Sequence, residues 1–310
     1  MNRRTACQLL TSASAAHLAG NLASAADTKQ DRFALRYILS SAMYGTMPLD
    51  VILPEIGKTG SEAIDIWCLK HGNQREQIDA MGFDAFEALL AKHGARVGVF
   101  TRYPLGPFGL QDEMKVAKRF GAGVLVCGSS KPSEPSGAEA KKAVRDFLEK
   151  MKPHVAAAEK HGVTIAVENH DKQLLYHPDS LRYFAEFNRS PNLGVAFAPH
   201  HLHQWEDEIP ALLRDLGNEQ VPFVYFQEHS EGIRRKAPKE IEMQQMPGFG
   251  GGLDYKPVVK ALKDIAYDGW VEIFMHPVPR GIPILPTAGA VTAAINKSRK
   301  YVEECLQAVS

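Results

Sequence analysis

Four apolar runs in the second half of this 310-residue chain end in groups that can bind a metal or move a proton. VTIAVENH (163–170) finishes on Glu168, Asn169 and His170, and LGVAFAPH (193–200) on His200, with His201 and His203 just after. PFVYFQEH (222–229) closes on Gln227, Glu228 and His229. WVEIFMHP (270–277) carries Glu272 and His276 on one face and runs into a proline-rich loop with Arg280. One polar strand end is ordinarily just solvated; four in succession become a constellation if the strands lie side by side. Carboxylates gathered without a cation repel and raise each other's pKa. A divalent ion removes that cost, and carboxylates with imidazoles and an amide suit Mg²⁺, Mn²⁺, Co²⁺ or Zn²⁺. Such an ion polarises a carbonyl and its neighbouring hydroxyl, and a carboxylate then takes and returns the proton of the adjacent C–H. That chemistry interconverts aldoses with ketoses, or epimers with one another, through an enediolate.

The elements that must position these groups are legible in the alternation of the chain. Eight apolar runs occur, the first four being 33–45, 62–67, 95–103 and 123–130. Between them lie amphipathic stretches such as 138–162, where apolar residues recur every three or four positions up to a His161-Gly162 stop. Strand–helix alternation with few hairpin signals predicts a parallel sheet. Eight strands, each followed by a helix-length connection, predict a single (β/α)₈ barrel of α/β class, whose active sites lie at the C-terminal strand ends. A doubly wound sheet is the alternative, but no G-x-G-x-x-G follows the first strand. GFGGG (248–252) reads as a flexible loop after the seventh strand.

Lys plus Arg and Asp plus Glu both number 36, which gives no basic footprint for nucleic acid. No apolar run reaches the ~20 residues that span a bilayer. The expected partner is a small carbohydrate, with a homo-oligomer left open. Residues 1–26 read as a twin-arginine-type signal peptide, from Arg3-Arg4 to the small-residue pattern Ala23-Ser24-Ala25, which predicts export to the periplasm or beyond. The barrel then occupies 27–310. Cys7 leaves with the signal, and Cys68, Cys127 and Cys305 are too few and too scattered for a disulfide framework. His71, His93, His154 and His161 read as surface residues and Trp67 as core. Arg102 and Tyr103 read equally as cavity lining or solvated loop, Tyr44 as a wall for a sugar ring, and Arg234 as part of a solvated charge run.

In order along the chain, IDIW (64–67), VENH (167–170), GVAFAPHH (194–201), VYFQEH (224–229) and YDGWVEIF (267–274) resemble the xylose-isomerase-like barrel family. That family takes in sugar-phosphate isomerases and epimerases, inosose dehydratases and ketose 3-epimerases, and the resemblance covers residues 33–308. It implies a metal held by a Glu after the fifth strand, an Asp after the sixth, a His or Gln on the seventh and a Glu on the eighth. Carried over, the ligands are Glu168, Gln227 (Tyr225 the alternative) and Glu272, with Glu168 and Glu272 also acting as acid and base. Ala198 stands where the Asp is expected, so His200 is the replacement ligand and His201 a substrate contact. Phe274, not Glu272, occupies the usual place of the eighth-strand Glu, which would put Glu272 one layer deeper. A metal-free site remains the alternative. His170, His276 and Arg280 complete the expected substrate contacts.

These readings converge on a metal-assisted sugar isomerase or epimerase. A lyase or dehydratase acting on a keto-sugar or inosose is the runner-up, and a non-catalytic sugar-binding barrel is the alternative of another class. The absence of a phosphate-cradling Gly loop favours a neutral sugar.

Overall fold

Each of the eight apolar runs contains a strand in the computed structural model, which describes residues 33–309. They are β1 (Arg36–Ser40), β2 (Ala63–Trp67), β3 (Val97–Thr101), β4 (Val124–Gly128), β5 (Thr164–Glu168), β6 (Leu193–Phe197), β7 (Phe223–Phe226) and β8 (Trp270–Ile273). The signal-peptide reading of 1–26, and the start of the expected barrel at 27–32, lie outside the described residues.

Neighbouring strands pair in parallel, and β8 closes onto β1 with Ile38 opposite Glu272. The single (β/α)₈ barrel is therefore what the chain forms. Strands covered on both faces are mostly apolar, and β2, β3, β4 and β6 are buried at every position. Helices fill the connections, the longest being Gly137–His161 after β4 and Ala288–Ala308 after β8. The predicted stop at Gly162 is a left-handed cap with φ 67°, a conformation glycine adopts without the Cβ clash of other residues.

Two interior layers matter for the site. Trp67 stacks on Phe274, with ring centroids 4.7 Å apart, and Tyr225 joins both from β7. One step earlier on the same inward faces stand Asp65 and Glu272, both with no exposed surface. Thr101 Oγ1 donates to Asp65 Oδ2 at 2.6 Å. Among the described residues neither Glu272 oxygen has a hydrogen-bond partner. The barrel thus buries an acidic pair beneath an aromatic layer.

Candidate active site

Above the aromatic layer, the C-terminal strand ends enclose a cavity of about 750 Å³. Such a volume is ordinary for a small-molecule site. Glu168 reaches it from the end of β5 and is 4% exposed. Burial pushes its carboxyl up to about 7, against the opposing pull of His170 and of the Tyr103 hydroxyl. Tyr103, from the turn after β3, donates its hydroxyl to Glu168 Oε2 and lies 3.3 Å from the Tyr225 hydroxyl.

His170 and His201 flank this carboxylate, with ring centroids 4.0 Å apart. His201 Nε2 lies 3.8 Å from Glu168 Oε1, and its Nδ1 lies 3.6 Å from Asp171 Oδ1. His170 Nδ1 is 2.9 Å from the same Asp171 oxygen. Burial works against charging His170, but Asp171 and Glu168 outweigh it and hold the imidazole up at about 9. Asp171 in turn sits well below the usual carboxylate range, through its hydrogen bond to His170 and the nearby charges of His201 and Arg234.

One donor atom each from Glu168, His170 and His201 fall within 4.8 Å of one another. A carboxylate and two imidazoles make a donor set that fits a divalent ion and leaves coordination positions open to substrate. Asp171, touching both rings, is the outer partner that orients them. This cluster differs from the ligand set carried over by resemblance. His170 and His201, expected to touch only substrate, stand in the cluster, whereas His200, Gln227 and Glu272 do not.

The reasons are local. His200 lines the cavity, 2% exposed, with neither ring nitrogen partnered among the described residues. Its pKa lies well below normal, chiefly through burial and then through neighbouring histidines, which keeps it a neutral imidazole. Gln227 is fully buried beneath the cavity and donates to Gln245 Oε1 at 3.0 Å. Gln245 then bonds the His276 backbone through both its amide atoms, so Gln227 braces the β8 exit rather than lining the cavity. Glu272 lies under the Trp67–Phe274 layer, one residue pair too deep to line the cavity. At Ala198, where an aspartate was expected, Asn169 bonds the backbone in both directions, at 3.0 and 2.7 Å, and so ties the ends of β5 and β6 together.

Other expectations divide similarly. His276 lines the cavity as foreseen, and its Nδ1 lies 3.0 Å from Nδ1 of His71. His71 is therefore a cavity residue and not a surface one. Arg280 lines the cavity too, as does Arg234, which folds back from its charge run onto Asp171. Tyr44 is fully buried and its hydroxyl lies 2.9 Å from Thr292 Oγ1, so it is no wall for a sugar. Arg102 does not line the cavity, its Nε lying 3.5 Å from the buried Glu113 carboxylate. Glu228 also points away from the cavity: its carboxylate accepts the backbone N–H groups of Gly248 and Leu253, each at 3.3 Å. The glycine-rich segment wraps that carboxylate. A Cβ at Gly251 would stand 2.2 Å from Gln244 O, which explains the missing side chain.

A barrel with its carboxylate and histidines at the C-terminal strand ends is the class these observations define. Residues 54–300 match the model of the xylose isomerase-like TIM barrel family, and the chain belongs to that family. A solved structure of the IOLI protein with a zinc atom is 18% identical, with a TM-score of 0.67 over 89% of this chain and 99% of that one. D-allulose 3-epimerase from Methylomonas sp., in complex with D-allulose, is 14% identical, with a TM-score of 0.63 over 88% and 98%. A 3-keto-D-glucoside 4-epimerase from E. coli is 13% identical, with a TM-score of 0.61 over 86% and 100%. Comparison with curated protein sequences gives no significant match.

Proposed function

We propose that this protein is a sugar isomerase or epimerase that moves a proton next to a carbonyl, with Glu168 as the group that takes and returns it. The observation that carries this reading is the Glu168 carboxyl itself. It is buried at the cavity wall, with its pKa about 7 through burial. A base is most effective when its pKa lies near the working pH. Tyr103 fixes one carboxylate oxygen and leaves the other directed toward His201. The neighbours solved with zinc or with D-allulose support the same reading, as proteins of this fold.

With Glu272 out of the cavity, Glu168 and Asp171 are the carboxylates among the residues lining it, and Asp171 is taken up by His170 and Arg234. One such carboxylate suits proton removal and return on one face of an enediolate, so isomerisation between adjacent carbons fits better than inversion by two opposed carboxylates. The bound ion would be held by Glu168, His170 and His201, and two imidazoles favour Zn²⁺, Co²⁺ or Mn²⁺ over Mg²⁺. When bound, it would polarise the substrate carbonyl. The lyase reading belongs to a metal-free site, where His170 holds no ion and its raised pKa makes it a proton donor for a departing hydroxyl. Export through the amino-terminal segment belongs to the same proposal.

Deuterium exchange into a panel of aldoses, ketoses and inososes in D₂O tests the reading, and product analysis separates isomerase from lyase. A purified protein that exchanges no proton in any of them would sink it. Metal content gives a second readout. His201→Ala removes a ligand and is expected to lower zinc affinity by more than the roughly 10- to 100-fold that losing an outer partner costs, while His200→Ala leaves it within about 2-fold.

A further inference from the structure

The chain has no net formal charge, yet its cavity does. Lys131, Lys172, Arg234 and Arg280 line it, against the two carboxylates Glu168 and Asp171. Asp171 is already matched by Arg234 and His170. Arg280 is the most exacting of the four cations. Its guanidinium is half-buried and held by two neutral groups, Nη1 donating to Pro277 O at 2.7 Å and Nη2 to Ile233 O. Glu242 is the acidic group near enough to act on it, but that carboxylate is occupied by Lys239 and by the Val278 N–H. Arg280 forms no ion pair among the described residues.

Two carbonyls therefore fix the fork without neutralising it. A guanidinium donates five N–H groups, and a carboxylate or phosphate takes two of them side by side. The surroundings add to the attraction. His71 lies beside Arg280, its pKa lowered to about 4 by burial first and by the Arg280 charge next. Lys131 and Lys172 project from the loops after β4 and β5, and neither forms an ion pair among the described residues. Charges of one sign lining a concave, partly dry wall focus the field and concentrate ligands of the opposite sign.

We infer that the substrate is an anionic carbohydrate, carrying a carboxylate or phosphate that the Arg280 fork binds while the carbonyl end faces Glu168. A neutral sugar would leave this positive field uncompensated. The inference rests on the cavity being a carbohydrate site, and it reverses the expectation of a neutral substrate drawn from the missing Gly-rich loop. A rigid guanidinium can replace the backbone N–H cradle that such a loop supplies.

Calorimetric titration of the purified full chain at low ionic strength tests this with D-glucose, D-glucuronate and D-glucose 6-phosphate, and with D-galactose and D-galacturonate. At least one anionic sugar is expected to bind about 10-fold or more tightly than its neutral parent. Whether uronate or phosphate wins identifies the source of the oxyanion. Arg280→Gln should abolish that preference, bringing anionic and neutral sugars to within about 2-fold of each other. Should Arg280→Gln not fold, Lys131→Gln combined with Lys172→Gln, both exposed, should lower the preference by about 3-fold or more. No preference for any anionic sugar, or a preference that survives these substitutions, overturns the inference. Because binding is read here and not turnover, the two readings fail separately. Anion preference without proton exchange sinks only the isomerase, and exchange of neutral sugars without anion preference sinks only this inference.

Discussion

Glu168→Gln leaves a folded barrel that no longer exchanges substrate protons, with a rate lowered by about 10²- to 10⁴-fold or more. The amide has the size of the carboxyl and can still accept from Tyr103, so packing at the end of β5 is kept. It cannot take a proton from carbon, and it is a poorer metal ligand than a carboxylate. Both losses act on the same step. A melting temperature close to that of the unmodified protein, together with lost exchange, is the expected pair of results. Full exchange in a folded Glu168→Gln variant would remove Glu168 from the chemistry and shift the burden to His170 or Asp171. Glu272→Gln provides the contrast. Since Glu272 lies beneath the aromatic layer, this substitution should leave exchange within about 3-fold, whereas the reading carried over by resemblance requires it to be as damaging as Glu168→Gln.

The barrel was legible because its physics is periodic. Each strand is covered on both faces, so each left a short, mainly apolar run, and all eight strands lie within the runs seen in the sequence. Glu168 and His276 were legible for a related reason: a polar residue closing an apolar strand has few other places to go in a barrel. Sequence raised the question of depth along the last strand, with Glu272 one layer deeper than Phe274, but could not say that this depth takes the carboxylate out of the cavity. Glu272 and Phe274 share a face, and a shift of two residues keeps direction while changing layer. Only the stacking of Phe274 on Trp67 shows which layer the carboxylate occupies. Asp171 was overlooked although it adjoins His170 in sequence, because its value lies in reaching two rings at once. His71 and Arg234 were misjudged because loops fold back in ways that local pattern does not encode. The signal for both was position, each in a segment that follows a strand end.

The same shift in depth explains how the interior tolerates an acidic pair. Asp65 is pushed up to about 7 by burial, against the pull of the Thr101 hydroxyl. Glu272 lies well above the usual carboxylate range, through burial first and then the adjacent Asp65 charge. Two ionised carboxylates there would be neither solvated nor neutralised, so the native barrel holds proton where the unfolded chain, with Asp near 3.8, releases it. The sign follows from that difference. Between about pH 4 and 7 the native state binds more protons than the unfolded one, so the pair's contribution to stability is present in acid and is lost as pH rises, with Glu272 extending the window upward. Histidines with lowered pKa, His71 and His276 among them, act in the opposite direction below their ordinary pKa near 6.5, so the raw pH profile mixes the two. The double substitution Asp65→Asn with Glu272→Gln isolates the pair, because it removes both titrations and leaves the histidines in place. Its melting temperature, relative to the unmodified protein, is expected to rise by roughly 5 °C or more between pH 5 and pH 8. A difference that stays flat over that range would mean the two carboxyls titrate as they do in water. The barrel would then have to admit solvent beneath Trp67, and the separation of the acidic pair from the cavity would fail with it.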